Sequence, residues 1–589
     1  MCGIAGIMTA NGTPPSPRPL QVMSLALAHR GPDGTGTYAA GDVAMVQRRL
    51  AIIDLATGNQ PLHEPEGAAL MANGEIYNYI ELRAGLADAV FATQSDCEPP
   101  LHLYRRRGID FAAELRGMYA IALHDPAAGR LVLARDPFGI KPLYYAETPA
   151  GFAFASEPQA LIAAGLAPAQ LARQVRNELL QLQFTTGRGT IFAGIERVLP
   201  GETLVVARGR VVERRRRDPL PAAATLPRRE TAALRELDRV FADSVLMHQR
   251  SDVPYGMFLS GGIDSTAVLS MMARLNERPV KAFTAGFPGG HVADERDQAR
   301  QVARALGAEH VEIDFREADF WRLLPEITRA MDDPAADYAV LPTYKLAATA
   351  REAGIKVILS GEGGDELFAG YGRYRRLLRP WWLGGERPRR HGTFDELGVL
   401  RGDLAGWRDG IAFAEVNAAG HGRTRLQAAQ AVDCADWLPN DLLGKLDRCL
   451  MAHGVEGRTP FLDPLVADFA FGLPDDLKVR RRQGKWLLRQ WLAQHVPAAA
   501  PFARKRGFTV PVAEWIARRG AQLGPLVASQ PGVREICLPQ AVEALFREAA
   551  GRRTGFAAWT LLFYALWHRQ HIQRLAPGPD VFATLGAGD

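Results

Sequence analysis

The stretch Tyr255-Gly256-Met257-Phe258-Leu259-Ser260-Gly261-Gly262-Ile263-Asp264-Ser265 decides the fold of the second half of the chain. Its first five residues predict a strand, and residues 266–275 predict a helix. The two glycines between these segments predict a tight turn whose backbone N–H groups close around phosphate oxygens at the positive end of the helix. Because the GxxxxGK[ST] spacing is absent, the turn is not a Walker loop.

Strand-like and helix-like segments alternate around this turn. A helical period covers residues 231–249, and strand-like residues 280–287 precede a helix-like segment at 295–306. Strand-like residues 310–315 and 356–359 follow, and the C-terminal part of the chain has a mostly helical pattern. This alternation predicts a doubly wound α/β domain with helices on both faces of a parallel sheet.

A second glycine turn, Ser360-Gly361-Glu362-Gly363-Gly364-Asp365-Glu366, follows the predicted strand at 356–359. Asp264 in the first turn and Asp365 in the second offer hard oxygen ligands suited to Mg²⁺ beside a pyrophosphate. The hydroxyls of Ser260 and Ser265 add hydrogen-bond donors. The two turns therefore predict a site for Mg²⁺ and phosphate groups.

The first half of the chain has a different texture. Short strand-like segments lie at 43–46, 70–72, 119–124, 131–135 and 152–155, separated by Gly, Pro and Asp. This pattern predicts layers of antiparallel sheet in an α+β domain.

An Arg-, Ala- and Pro-rich segment separates the two halves and predicts a linker. We therefore expect a first domain at 2–205, a linker at 206–230 and a second domain at 231–589.

Cys2 is a candidate nucleophile at the start of the chain. If the initiator Met is removed, Cys2 carries a thiol and a free α-amino group. The amine can then take the thiol proton, directly or through one water, and later return it to a leaving group.

Five polar fragments follow Cys2: HRGPDG at 29–34, RLAIID at 49–54, NGEIYN at 73–78, SD at 95–96 and RDPFGIKPLYY at 135–145. Their content and order resemble the class II, N-terminal-nucleophile (Ntn) glutamine amidotransferases. The resemblance covers about residues 2–205. It implies a layered Ntn-type fold that hydrolyses glutamine to glutamate and ammonia.

This resemblance implies a role for each pocket residue. Cys2 would attack the side-chain amide of glutamine, while Asn73 and the Gly74 N–H would face the oxyanion. Arg49 would hold the α-carboxylate, because a planar guanidinium matches a carboxylate, and Asp96 would pair with the α-ammonium. The implied glutamine pocket comprises Arg49, Leu50, Ala51, Ile52, Ile53, Asn73, Gly74, Glu75 and Asp96.

The SGGIDS turn at 260–265 resembles the PP-loop ATP pyrophosphatases, which cleave ATP to AMP and pyrophosphate. Together with DR at 447–448, RTPFLD at 458–463 and KWLLR at 485–489, it makes nearly the whole chain resemble the glutamine-hydrolysing asparagine synthetases. In that family a carboxylate is adenylated by ATP, and ammonia from the first site displaces AMP.

The same resemblance implies the residues of the second site. Glu362 would act at the acyl-adenylate and deprotonate ammonium, and Lys485 would neutralise charge at the reacting centre. The implied metal ligands for Mg²⁺ are Asp264 and Asp365. The implied ATP contacts are Leu259, Ser260, Gly261, Gly262, Asp264, Ser265, Ala285, Ser360 and Gly361.

Composition excludes several other classes of protein. The chain has 589 residues, 47% of them hydrophobic, with 70 Lys and Arg against 65 Asp and Glu, a balance too mild to indicate nucleic-acid binding. Five scattered cysteines without CxxC spacing argue against a zinc site or a disulfide framework. With no long apolar run and no signal-peptide pattern, we expect a cytoplasmic enzyme of small substrates without a membrane partner. The resemblance to the asparagine synthetases, in which dimers are common, implies a homodimer.

The acceptor is the open question. The asparagine synthetases commonly have a Ser pair where this chain has Tyr338-Ala339, after the acidic segment that ends at Asp337. Aspartate is the leading acceptor, and the alternative is the same chemistry on a dipeptide, a secondary metabolite or a surface-sugar acid. An intramolecular relative like the β-lactam synthetases is disfavoured because those lack the thiol. A further alternative is a non-catalytic binding or regulatory protein with the same fold, and such a protein is expected to have lost residues of one of the two sites.

Overall fold

The computed structural model describes residues 2–222, 228–288, 295–380, 382, 385, 389–420, 422–503 and 510–587.

The first domain is built on two six-stranded antiparallel sheets. One has the strand order β10-β8-β9-β1-β3-β2 and the other β12-β11-β7-β6-β5-β4. The strands are β1 Gly3–Thr9, β2 Gly34–Ala40, β3 Val43–Arg49, β4 Leu62–His63, β5 Ala69–Ile76, β6 Gly117–Asp125, β7 Arg130–Arg135, β8 Tyr144–Thr148, β9 Gly151–Ala155, β10 Glu196–Arg197, β11 Glu202–Ala207 and β12 Arg210–Arg216. The helices are α1 Pro17–Ala26, α2 Tyr79–Gly85, α3 Pro99–Arg107, α4 Pro158–Ala163 and α5 Arg173–Leu182, with a 3₁₀ turn at Gly108–Glu114.

The two sheets pack face to face because strands of both contribute apolar side chains to one shared core. In β5, Leu70 and Ala72 enter one core while Met71 enters the core between the sheets. This two-residue period is that of a strand, and it buries β5 completely. The antiparallel layers expected from the sequence are confirmed.

The expected linker begins with a strand. Residues Arg210–Arg216 form β12, which pairs antiparallel with β11 and extends the second sheet beyond residue 205. Its Arg side chains face solvent, as suits an exposed edge strand, and Arg214 also donates a hydrogen bond to Tyr145 Oη at 2.9 Å. Because charged residues fill this exposed edge strand, its sequence lacks the apolar alternation that would predict a strand. Residues 223–227 of the expected linker lie outside the described residues.

The second domain contains a five-stranded, wholly parallel sheet in the order β15-β14-β13-β16-β17. Its strands are β13 Tyr255–Phe258, β14 Lys281–Gly286, β15 Glu309–Asp314, β16 Val357–Leu359 and β17 Glu456–Arg458; a small hairpin joins β18 Val479–Arg480 to β19 Gln483–Gly484. The strand order reverses between β13 and β16. Ligands of open α/β sheets bind at such a switch point, beyond the carboxyl ends of the strands.

Helices cover both faces of this sheet. Ile358 of β16 packs into the core that contains α10, while its neighbours Val357 and Leu359 pack into the core that contains α7. The helices are α6 Glu230–His248, α7 Ile263–Leu275, α8 Arg296–Ala305, α9 Glu317–Ala330, α10 Val340–Glu352, α11 Gly364–Leu367, α12 Gly372–Leu377, α13 Asp409–Ala419, α14 Arg425–Val432, α15 Gly444–Met451, α16 Pro464–Phe471, α17 Asp475–Lys478, α18 Trp486–His495, α19 Val512–Arg518, α20 Gly520–Ser529, α21 Pro531–Ile536, α22 Pro539–Arg547, α23 Arg552–His571 and α24 Val581–Gly586. The doubly wound domain with a helical C-terminal part is confirmed.

A π-helix at Asp433–Leu443 leads directly into α15. The wider π turn is rare and occurs often at functional sites. None of the helices in the described residues is long and apolar enough to cross a membrane.

Candidate active site

The thiol of Cys2 lies at the start of β1, with 6% of the residue exposed. The Cys2 backbone N–H donates to Asn73 Oδ1 at 3.1 Å, and its carbonyl oxygen accepts from Arg30 Nε at 3.2 Å. Burial raises the pKa of the Cys2 thiol, although a hydrogen bond from the Leu50 backbone acts against this shift. The thiol is therefore fixed in position, and a base beside it would be needed to ionise it.

Asn73 and Gly74 lie in the C-terminal half of β5, beside Cys2. The Asn73 side chain is fully buried, and no described residue accepts a hydrogen bond from its Nδ2. A Cβ on Gly74 would collide with the carbonyl oxygen of Met118 across the β5–β6 ladder. A buried donor without a protein acceptor is costly, so this donor suits a ligand oxygen.

Arg49 lies under the loop that follows it in sequence. Its Nη1 donates to Asn59 Oδ1 at 2.8 Å, and its Nη2 donates to the carbonyl oxygen of Asp54 at 2.6 Å. A further bond from Nη2 to the Ile53 carbonyl oxygen ties the segment that follows Arg49 to its guanidinium. The sequence-predicted pocket residues of this segment are brought together.

Two carboxylates complete this pocket. Asp96 Oδ2 accepts from the Ile76 backbone N–H at 2.8 Å, and burial raises the pKa of the Asp96 carboxyl. Burial, Asp96 and Glu456 raise the pKa of Glu75 well above its usual range. Glu75 Oε2 lies 3.6 Å from Arg458 Nη2 of the second domain, so the predicted glutamine pocket touches that domain.

The first predicted phosphate loop lies between the end of β13 and the start of α7. Gly261 has φ +70°, which a side chain would disfavour, and Ser260 Oγ accepts from the Gly262 N–H at 3.2 Å. Ser260 and Ser265 hydroxyls lie 3.0 Å apart. Leu259 N–H donates to Phe283 of β14 at 2.9 Å, which places Leu259 beside the strand that ends with Ala285 and Gly286. The predicted ATP contacts of this loop share one edge of the sheet.

The second glycine turn packs against the first. A Cβ on Gly361 would lie 2.8 Å from Asp264 Cβ, and one on Gly364 would lie 2.5 Å from Asp264 Oδ1. Glycine is therefore required here for the two turns to meet. Ser360 Oγ is buried without a hydrogen-bond partner among the described residues, as a group that contacts a nucleotide would be.

Lys485 joins the two turns. It is buried, and its Nζ contacts Asp264 Oδ2 and, at 2.6 Å, Asp365 Oδ1. Burial works against its charge, but Asp264 and Asp365 raise the pKa of Lys485 above its ordinary value.

The same two carboxylates can serve a divalent cation. The described residues contain no cluster of three His, Cys, Asp or Glu side chains suited to a metal. Magnesium is usually held by one or two carboxylates together with substrate phosphates and water. Asp264 and Asp365 already converge on one cation, the Lys485 ammonium, so they fit Mg²⁺ bound with a nucleotide.

Glu362 extends from the second turn toward a group of charges that the sequence did not identify. Burial raises the pKa of Glu362, Lys445 of α15 lowers it, and Asp337 raises it further. Lys445 Nζ donates to Asp337 Oδ2 at 2.8 Å. The LPNDLLGKLDR segment at 438–448 was the available signal, since it carries charges of both signs between apolar residues.

A buried ion network connects the domains. Arg30 Nη1 donates to Glu157 Oε1 at 2.8 Å and to Asp447 Oδ2 of α15 at 2.7 Å. Arg448, the residue after Asp447, forms an ion pair through its Nη2 with Asp332 Oδ1 at 2.9 Å. Sequence reasoning did not assign Arg30 a role, because its partner lies 417 residues away.

A narrow cavity lies in this boundary. It measures about 20 Å³, room for a molecule of the size of water or ammonia. Residues of both domains line it, among them Arg135, Tyr144, Asn440, Gly444 and Asp447.

Comparison with known proteins matches both halves. The asparagine synthase family model matches residues 236–569, more than half of the chain, and the glutamine amidotransferase domain model matches residues 1–216. Asparagine synthetase [glutamine-hydrolyzing] 1 of Bacillus subtilis is 30% identical over 98% of this chain and 97% of its own length. Asparagine synthetase B of Escherichia coli is 28% identical over 83% of this chain and 78% of its own. Amidase chry2 of Gibberella zeae is 32% identical over 64% of this chain and 60% of its own. The chain therefore belongs to the family of glutamine-hydrolysing asparagine synthetases and is a glutamine-dependent ligase.

Proposed function

We propose that this ligase converts a free carboxylate to an amide, with L-aspartate as the leading acceptor and L-asparagine as the product. Ammonia comes from glutamine, and ATP is cleaved to AMP and pyrophosphate. One observation carries the proposal, namely that two sites are connected in one chain. The first site has the buried Cys2 thiol beside the Asn73 Nδ2 donor, which has no acceptor among the described residues, and the second has the Ser260–Ser265 loop and Glu362. Arg30 and α15 join the two.

In the first site the Cys2 thiolate attacks the glutamine amide carbon. The Asn73 Nδ2 and Gly74 N–H donors receive the oxyanion, where one lost donor costs about 3 to 4 kcal/mol of transition-state stabilisation. Ammonia leaves, and water hydrolyses the thioester to glutamate. Arg49 holds the α-carboxylate, and Asp96 holds the α-ammonium.

In the second site an acceptor carboxylate oxygen attacks the α-phosphorus of ATP, and pyrophosphate leaves. The Ser260–Ser265 loop, Leu259, Ala285, Ser360 and Gly361 hold the nucleotide. Glu362 takes a proton from ammonium, because only neutral ammonia has a lone pair for attack. Ammonia then attacks the acyl carbon and AMP leaves.

Mg²⁺ bound by Asp264 and Asp365 would neutralise phosphate charge. Lys485 lies between these two carboxylates. When Mg²⁺ binds the carboxylates, phosphate groups of ATP would take their place as partners of the Lys485 ammonium. Its positive charge then stabilises the developing pyrophosphate and the reacting centre.

A second candidate acceptor is a carboxylate other than aspartate. Tyr338-Ala339 stands where the family commonly has a Ser pair, and Tyr338 follows Asp337, whose partner Lys445 faces Glu362. The similarity to amidase chry2 supports the same alternative. The synthetase chemistry is identical for either acceptor.

The test is pyrophosphate release from ATP and glutamine with a panel of carboxylates, followed by mass identification of the amide. Aspartate should give the strongest release under the leading proposal. Release with another acid, and none above background with aspartate, would favour the second candidate.

A further inference from the structure

We infer that Asp441 and Asp337 form a binding site for an ammonium ion beside Glu362. The inference rests on the proposed function, because it concerns the nitrogen that the synthetase site consumes. It assigns a role to two carboxylates that neither the sequence motifs nor the phosphate loops explain.

The site is organised around Lys445. This residue is 4% exposed, its Nζ donates to Asp337 Oδ2 at 2.8 Å, and its charge interacts with Glu362 and Asp441. Lys445 thus faces three carboxylates, and Arg389, which is itself paired with Asp433, also acts on Asp441. When all are ionised, the carboxylates outnumber these cations, and a further cation would offset the remaining negative charge.

Asp441 supplies the independent sign of a ligand. The residue is 1% exposed, and no described residue donates a hydrogen bond to its Oδ1. A buried carboxylate oxygen without a donor costs free energy, so native proteins rarely keep one without a function. Burial raises the pKa of Asp441 well above its usual range, and the negative charge of Asp337 raises it further. A bound cation would offset both effects, because it stabilises the ionised carboxylate.

The backbone explains how Asp441 reaches this position. It lies in the π-helix Asp433–Leu443, one turn before Lys445 in α15. Its neighbours Asn440 and Gly444 line the small cavity at the domain boundary. The same helical segment therefore lines the cavity through Asn440 and Gly444 and acts on Glu362 through the charge of Lys445.

The charges favour ammonium over the reacting carboxylate of the acceptor at this site. The acceptor reacts through a carboxylate, which Asp337 and Asp441 would repel. Ammonium has four N–H donors and a positive charge, so it can donate to both carboxylates at once. Its proton then passes to the Glu362 carboxylate, which leaves neutral ammonia and a protonated Glu362.

The experiment compares full-length wild type with Asp441→Asn in ammonia-dependent synthesis, using ammonium chloride and, separately, hydroxylamine. Asn keeps the shape but loses the charge. The KM for ammonium should rise about tenfold or more, because a charge-assisted contact is lost, while the KM for the uncharged hydroxylamine should change less than about twofold. Glutamine hydrolysis should be unchanged, which shows that the variant folds.

Asp436→Asn is the matched control. Asp436 lies in the same π-helix, but its Oδ1 accepts from the Gly187 N–H at 2.7 Å, a bond that Asn retains. Its KM for ammonium should equal that of the wild type. An unchanged ammonium KM in Asp441→Asn, or a rise only in the acceptor KM, overturns the inference.

A second measurement does not need a known acceptor. Thallous ion has nearly the size of ammonium and an anomalous signal, so wild-type crystals soaked in it should show a peak at Asp441 that Asp441→Asn crystals lack. If the wild type forms no amide with any carboxylate of the panel, the proposed function is wrong. If the thallium peak at Asp441 is equal in the two proteins, or absent from the wild type, only the ammonium site is wrong.

Discussion

Arg30 Nη1 lies 2.7 Å from Asp447 Oδ2, so a guanidinium of the glutaminase domain is bound by a helix of the synthetase domain. The same side chain donates through Nε to the Cys2 carbonyl oxygen. The backbone of Cys2, the proposed nucleophile, is thus one side chain away from α15, the helix that carries Lys445 toward Glu362.

Cys2→Ala should abolish glutamine-dependent synthesis and leave ammonia-dependent synthesis within about twofold of wild type, because only the first site uses the thiol. Both rates are measured by amide formation. Cys537→Ala, at a buried cysteine of the helical C-terminal part, should retain both rates. Joint loss of the two activities in Cys2→Ala would show that the thiol is not confined to the first step.

Asn73→Ala should lower kcat for glutamine hydrolysis by about 10²- to 10³-fold, because it removes an oxyanion donor. The KM for glutamine should change less, since the donor has no described acceptor before the oxyanion forms. Steady-state glutaminase kinetics check this. A raised KM with an unchanged kcat would mean that Asn73 binds the ground state instead.

Glu362→Gln should reduce ammonia-dependent amide formation by about 10²-fold or more, as expected when a positioned base is lost. Glutamine hydrolysis should persist, because Glu362 lies in the other domain. The two reactions are assayed on one preparation. Parallel losses in both assays would contradict the assignment.

Asp447→Asn should lower the free energy of unfolding by about 3 kcal/mol or more, because it leaves Arg30 with a buried, partly unpaired charge. It should also raise the ratio of glutamate to amide product, as ammonia escapes at the loosened boundary. Glu114→Gln is the control: its partner Arg107 is 61% exposed, so the loss should be under about 1 kcal/mol. Equal stability of the two variants would refute this account of the network.

Stability should depend on pH through Glu178 of α5. Burial raises the pKa of this carboxyl to about 7, although Thr186 donates to it through its backbone N–H at 2.7 Å. Below a pH of about 4 both states are protonated and no free energy is lost. As the pH rises from about 4.5, the ordinary value for Glu, to about 7, the unfolded carboxyl ionises while the folded one stays protonated, so the folded state loses stability; above 7 the loss is complete.

Glu178→Gln removes this loss, because the amide is neutral at every pH. Relative to wild type, the variant should gain about 2 to 3 kcal/mol of unfolding free energy between pH 5 and pH 8. Denaturant unfolding at both pH values measures the change. A constant difference between the two proteins would show that Glu178 has an ordinary pKa.

The fold and the two loops were predictable because they depend on local pattern. The period of two in β5 and the glycines at 261 and 361 act within a few residues of chain. The edge strand Arg210–Arg216 was missed because exposed charge, rather than apolar alternation, defines it.

The charge clusters were not predictable for a different reason. Lys445 meets Asp337 across 108 residues, and Arg30 meets Asp447 across 417. A single sequence contains no periodic signal for such pairs. The π-helix adds to the difficulty, because its wider turn shifts Asp441 away from the face that an α-helical pattern assigns.

The strand β17 has a consequence for any attempt to divide the protein. The Arg458 carbonyl oxygen accepts from the Ser360 N–H at 2.8 Å, while its side chain lies against Glu75. An isolated glutaminase fragment would expose Glu75 and leave Cys2 near an open face, and an isolated synthetase fragment would hydrate Arg458 and loosen the turn at Ser360. We therefore expect each half to lose stability when it is separated from the other, and swapping whole domains between relatives would break the same contacts.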